Sequence, residues 1–391
     1  METHTTETSP DRTTVSAYSC QQALRDRARR GSQGDTIDIS PPPRPTTSRL
    51  ESSRDDHPYC LEQFVEEAAH KPKRDTVLYL AYGSNLSSEK FRKDRGIKPL
   101  SQINVLVPSL RMTFDLPGIP YAEPCFANSA RRDPHDDISH SNSDDEKTSL
   151  LPSKDGNGGY LDGWHKGLIG VVYEVTPEDY AHIIATEGGG SGYQDILVEC
   201  HPFANADPRE AVPKHPTLPP FKAHTLFAPA VPDGEPPKKG GHLQRPRADY
   251  AQASARYLKL ITDGAEECKL PYEYQEYLLS LQPYTITTTK QRLGQFVILA
   301  TWLPIVLSMF ALGKLVAGKN GRAPKWMREL TNAVFKAVWK SYDGFFQPLF
   351  GDGERTIEKG GNEDSQSEGR RGKSMIRQRS QDSHSDVEKG I

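Results

Sequence analysis

Two short stretches gather residues that could do chemistry: Tyr82-Gly83-Ser84-Asn85-Leu86 and Glu187-Gly188-Gly189-Gly190, with Tyr193 just after the second. In the first, an apolar run stops at Gly83 and passes through Ser84 and Asn85 into helical spacing. A strand-to-helix junction leaves its leading backbone N–H groups without partners, which suits an anion such as a carboxylate. Gly83 permits a tight turn, and Ser84 and Asn85 carry capping side chains, although a plain turn accounts for the same residues. In the second stretch, Glu187 ends a predicted helix and three glycines follow it. A carboxylate held in a cavity has its pKa raised toward neutrality, as a proton shuttle requires, whereas a solvated helix-end glutamate does not. Glu178 and Asp179 fit a helix N-terminus instead, and Glu174 alternates outward on a strand.

A series of short elements must position these groups. Strands are predicted at Thr76–Tyr82, Ile103–Val107, Arg111–Phe114, Gly167–Val175, Ile196–Cys200 and Phe221–Phe227, from β-branched and aromatic runs bounded by Gly, Pro and polar residues. Helical spacing covers about 87–95, and Pro177–Thr186 reads as a helix capped by Thr176. Ser254–Gly264, capped by Ser254, and Pro271–Ser280 are amphipathic helices, and Tyr59–Ala69 is a short entry helix. A polar insertion at 130–158 interrupts the pattern. The expectation is an α+β domain over 57–288, a small mixed β-barrel with peripheral helices.

Composition sets the boundaries. The chain has 391 residues, of which 35% are hydrophobic, with 31 glycines and 31 prolines. A globular domain is nearer 45–50% apolar, so polar tails are expected to be disordered, at 1–56 and 351–391. A net charge of −3 gives no electrostatic case for nucleic acid. Cys20, Cys60, Cys125, Cys200 and Cys268 are scattered without metal spacing, and His165, His182, His201 and His224 form no ligand pattern, so no metal is expected. No GxxxxGK[ST] occurs, and Ser84 has no neighbouring histidine to activate it as a nucleophile.

Leu80-Ala81-Tyr82-Gly83-Ser84-Asn85-Leu86 resembles the signature of the γ-glutamylcyclotransferase family, in particular its fungal, gliotoxin-pathway-like branch. The resemblance continues through Pro117-Gly118-Ile119-Pro120, Glu123-Pro124-Cys125-Phe126-Ala127-Asn128, Gly170-Val171-Val172-Tyr173, Glu187-Gly188 and Gly192-Tyr193, and Ser254–Leu281 looks like the closing helices of fungal members. It covers about 75–285. The resemblance implies an enzyme that releases 5-oxoproline and a free amine from a γ-glutamyl group, without cofactor. Glu187 would be the catalytic base, and Tyr82, Gly83, Ser84, Asn85, Leu86 and Tyr193 would bind substrate. Ile184 stands where many members carry an acidic residue, which leaves substrate preference open. A catalytically silent scaffold that binds γ-glutamyl ligands is the alternative, and a glutathione-specific enzyme ranks lower because the signature ends in Asn85-Leu86. The assembly could be a homodimer.

One segment adds a membrane to this reading. Residues 293–313 contain no charge, and 21 residues of helix span about 31 Å, the thickness of a hydrocarbon core. A single transmembrane crossing is expected there, followed by an amphipathic juxtamembrane segment at 314–350 whose aromatic residues suit either the lipid interface or packing on the protein. Lys290 and Arg292 flank one end, and Lys314, Lys319, Arg322, Lys325 and Arg328 the other. The positive-inside rule alone would place the barrel outside. The N-terminus has no apolar leader, and a glycan at the Asn85-Leu86-Ser87 sequon would block the signature. A cytosolic barrel is therefore expected.

Overall fold

The computed structural model describes residues 41–60, 63–64, 76–132, 164–186, 193–228, 250–316 and 325–357. The 130–158 insertion beyond Arg132, most of the Tyr59–Ala69 helix, Cys20, Glu187 and the remaining tails lie outside them.

Strand β1, Val77–Ala81, is apolar and buried at every position, as a strand enclosed on both faces must be. It runs antiparallel to β5 (Leu168–Val175), pairing Val77 with Val175 and Ala81 with Val171. It lies parallel to β7 (Phe221–Phe227) at Tyr79 and His224. With β2 (Ser101–Val107) and β6 (Gln194–Pro202), the order β1-β5-β2-β6-β7 closes a mixed barrel. Gly170 is required where β1 and β5 approach, since a Cβ there would lie 2.6 Å from the Ala81 carbonyl oxygen. The mixed barrel with peripheral helices is therefore the observed fold.

Beside the barrel, β3 (Leu110–Ile119) and β4 (Glu123–Arg131) form a separate two-stranded sheet, its register shifted between Thr113 and Leu116. The structure extends β3 five residues past its predicted end. Strand β4 has no clean alternation, its burial running in pairs, which is why its sequence did not announce a strand.

A short N-terminal helix, α1 (Thr47–Ser52), lies within the segment expected to be a disordered tail. Residues 41–56 are instead strapped to the barrel. Arg49 donates to Thr76 Oγ1 and Thr76 O at 2.8 and 2.7 Å, and Gln102 N donates to Pro43 O at 2.9 Å. These are single polar anchors, invisible to a hydrophobic pattern. The helical spacing at about 87–95 is met by a π-helix, Glu89–Asp94, and a 3-10 turn, Ser84–Leu86, precedes it.

Helix α2 (Pro177–Thr186) buries Tyr180, Ile183 and Ile184, and Thr176 Oγ1 caps it by accepting from Asp179 N at 3.1 Å. Helix α3 (Ala255–Glu267) is capped by Ser254 Oγ, which accepts from Tyr257 N at 3.0 Å, a bond worth about 1 kcal/mol. Helix α4 (Tyr272–Ser280) completes the domain.

Helix α5 (Thr289–Val316) holds the uncharged segment, and Thr289–Met309 is long and apolar enough to cross a membrane by length and composition. Helix α6 (Lys325–Ser341) packs along it and continues through a wide turn, Tyr342–Phe346, to Phe350. Residues 351–357, expected to be disordered, return to the domain: Tyr121 N donates to Gly353 O and Gln252 N to Glu354 O.

Candidate functional site

The end of β1 delivers the signature to the rim of the barrel. Tyr82, Gly83, Ser84 and Asn85 line a cavity of about 50 Å³ together with Tyr79, Ala127, Tyr193, Thr225, Leu226 and Tyr257. A space of that size holds a few water-sized groups, the head of a ligand rather than a whole one. Gly83 lies at φ −109°, outside the left-handed region, so freedom of φ is not what this turn takes from glycine. A Cβ at Gly83 would stand 3.4 Å from both the Ala127 Cβ and the Tyr257 hydroxyl, and would narrow the cavity.

Each side chain of the signature has a defined place. Tyr82 is buried, and its hydroxyl donates to Ser129 Oγ at 3.2 Å. Asn85 Nδ2 donates to Tyr79 Oη at 2.9 Å, so a polar pair braces the cavity floor. Neither Ser84 nor Asn85 caps the turn, because its N-cap is Gly83 and makes no side-chain cap bond. Leu86 does not reach the cavity. Its side chain is fully buried, and its N–H donates to Gly83 O at 3.0 Å, so it offers a ligand neither surface nor amide. The leading amides of the turn belong to Gly83, Ser84 and Asn85.

Tyr193 joins the signature across the barrel mouth, at the start of β6. Glu187 lies outside the described residues, between Thr186 at the end of α2 and Tyr193 on the cavity wall. Sequence reading missed Tyr79, Ala127, Thr225, Leu226 and Tyr257. Tyr79 could have been found, since it sits on β1 three residues before Tyr82, in the strand that delivers the signature. Tyr257 could not, because its position depends on how α3 docks. Its hydroxyl accepts from Ala127 N at 3.1 Å, bridging α3 to β4 over the cavity.

A buried polar hub stands behind this wall. Asp195, on β6, accepts from Tyr180 Oη at 2.6 Å and Tyr59 N at 2.6 Å, and His224 Nδ1 lies 2.8 Å from it. Both Asp195 and His224 side chains are wholly buried. Burial, reinforced by the Asp195 charge, pushes the Tyr180 hydroxyl well above its ordinary pKa. Tyr59 stacks on the His224 ring at 4.3 Å. The hub ties α2, β6, β7 and the N-terminal strap together. His224 is thus held between Asp195 and the Tyr59 ring. Among the described residues no group of three or more His, Cys, Asp or Glu is placed to hold a metal.

Residues 288–349 match the family model of the AclK C-terminal domain. The chain is 29% identical over 302 residues to the γ-glutamyl cyclotransferase aclK of Aspergillus oryzae, covering 74% of this chain and 94% of the relative. It is 28% identical to gliK of Aspergillus fumigatus over 291 residues, again 74% of this chain and 93% of the relative. With verK of Clonostachys rogersoniana, also a γ-glutamyl cyclotransferase, it shares 33% identity over 167 residues, 40% of this chain and 77% of the relative. The C-terminal helices thus match a named family domain, and the chain belongs to the γ-glutamyl cyclotransferase family.

Proposed function

We propose that this cyclotransferase releases 5-oxoproline and a free amine from γ-glutamyl amino acids or γ-glutamylated thiol metabolites. The observation that carries the reading is the meeting of Tyr82–Asn85 and Tyr193, distant in sequence, in one cavity. In this reading the amides of Gly83, Ser84 and Asn85 receive the substrate's α-carboxylate, with the positive end of the turn toward it. The Tyr193 and Tyr257 side chains border the glutamyl moiety.

The chemistry is a five-membered ring closure. The substrate's α-amine nitrogen forms a bond to its γ-carbonyl carbon, and the bond from that carbon to the departing nitrogen breaks. One proton leaves the α-amine and one must reach the departing amine, so a single carboxylate, Glu187, serves both steps. Such a group contributes about 10²–10⁴-fold. Holding the chain folded on itself contributes more, since well-oriented closures reach effective molarities of roughly 10⁵–10⁸ M. The cavity walls therefore act chiefly as a clamp.

The test is 5-oxoproline release by the purified full chain from γ-glutamyl-alanine, glutathione and a γ-glutamylated thiol. Release from at least one of them is expected. No release from any, by a folded protein that binds 5-oxoproline, would replace the enzyme reading with a silent ligand-binding one.

A further inference from the structure

A second apolar cluster lies outside the barrel, made of Tyr121, Ile298, Trp339, Tyr342 and Phe346. It roots the C-terminal helices on the β3–β4 tip. Gln295 Nε2 donates to Tyr121 O at 2.8 Å, Trp339 Nε1 to Gly118 O at 3.1 Å and Gln291 Nε2 to Asp352 O at 2.7 Å. Tyr121 in turn donates its hydroxyl to Gly351 O at 2.7 Å. The beginning of α5 and the chain leaving Phe350 are thus fastened to the same face of the domain. The helices between them run antiparallel: Gly294 abuts the Phe350 ring, and farther out Trp302 Nε1 donates to Ser341 Oγ at 3.1 Å.

Past this root the helices are covered mainly by one another. Val306 and Met309 of α5 are buried, whereas Leu303, Ile305, Leu307 and Leu312 are exposed, as are Trp326 and Leu330 of α6. Trp326, Leu330, Ala333 and Ala337 recur at helical spacing and form an apolar stripe, and exposed Glu329, Lys336 and Lys340 form the stripe beside it. An apolar surface of this extent marks a partner or a membrane. From the end of α5 to the start of α6 the sequence carries Lys314, Lys319, Arg322, Lys325 and Arg328 before the first acidic residue, Glu329. That run of positive charge matches anionic headgroups.

Two features argue against a crossing. The uncharged stretch beyond the root, 300–313, is 14 residues, or about 21 Å of helix, short of a hydrocarbon core of about 30 Å. A crossing would also carry Glu329, Lys336 and Lys340 to hydrocarbon depth, where ionised groups are costly. At a single headgroup layer the lysines can reach water along their own stems.

We propose that α5 and α6 form a monotopic anchor that dips into one leaflet of an anionic bilayer and returns, leaving the chain beyond Phe350 on the barrel's side of the membrane. The full chain should float with phosphatidylcholine–phosphatidylserine vesicles, and L303K/L307K should lower the bound fraction about tenfold or more while unfolding temperature and cyclotransferase activity stay unchanged. In sealed microsomes, protease should remove a C-terminal tag and the barrel together without detergent. A tag protected while the barrel is cleaved would overturn the proposal in favour of a single crossing. Failure of the full chain to float would also overturn it, and a dimer abolished by L303K/L307K would then assign the apolar face to a second copy.

Discussion

Gly264 of α3 faces the backbone of the signature turn rather than the cavity. A Cβ there would lie 2.4 Å from Leu86 C and 2.4 Å from Ser87 N. Ordinary contact begins near 3.4 Å, so Gly264→Ala must push the helix and the turn apart by about 1 Å. Misplacing a site by about 1 Å can lower turnover about 100-fold. Stability should fall by up to about 2 kcal/mol, because overpacking costs about 1–3 kcal/mol while alanine returns up to ~1 kcal/mol of helix propensity. The expected result is kcat/KM down about 100-fold with the unfolding temperature lowered by less than about 8 °C. Gly344→Ala is the control, since a Cβ there meets nothing within 4 Å, and it should alter neither quantity. Amine release measured beside thermal unfolding decides the matter. Full activity in Gly264→Ala would refute the claim that α3 sets the position of the turn.

Asp195→Ala removes the acceptor for Tyr180 Oη and Tyr59 N and the partner of His224, so urea unfolding should show a loss of about 3–5 kcal/mol. A loss below about 1 kcal/mol would show the hub to be dispensable. Ser254→Ala should destabilise by about 1 kcal/mol through the lost cap on α3, with a matching fall in unfolding temperature. Burial pushes the Cys268 thiol up to about 11 from an ordinary 9, so the fold favours its neutral form. That contribution is complete below pH 9 and lost as pH rises through about 11, and Cys268→Ala should therefore flatten part of the alkaline loss of stability. Among the described cysteines, alkylation of native protein at neutral pH followed by peptide mapping should mark exposed Cys60 and spare buried Cys125, Cys200 and Cys268.

Much of the barrel was legible because its strands are apolar runs enclosed on both faces, as in Val77–Ala81 and Leu168–Val175. The caps Thr176 and Ser254 were legible for a local reason, a hydroxyl one residue before an apolar period. The segment 41–56 was not, since Arg49 holds it through two bonds to Thr76 that no periodicity signals. Strand β4 gains its form from pairing with β3, and Tyr257 reaches the cavity only through the docking of α3. The aromatic residues of α6 fitted either lipid or protein in the sequence. The structure divides them, burying Trp339 and Tyr342 in the root and leaving Trp326 and Phe345 exposed. Leu86 shared the signature's sequence but not its surface, a distinction that only the burial of its side chain reveals.

In the proposed reaction one carboxylate, Glu187, moves the proton during ring closure. The role of Glu187 is measured by 5-oxoproline release from Glu187→Gln beside the unaltered full chain, with 5-oxoproline binding followed by thermal shift. Turnover should fall by about 10²–10⁴-fold while ligand binding and unfolding temperature are retained. Near-normal turnover in Glu187→Gln would contradict it.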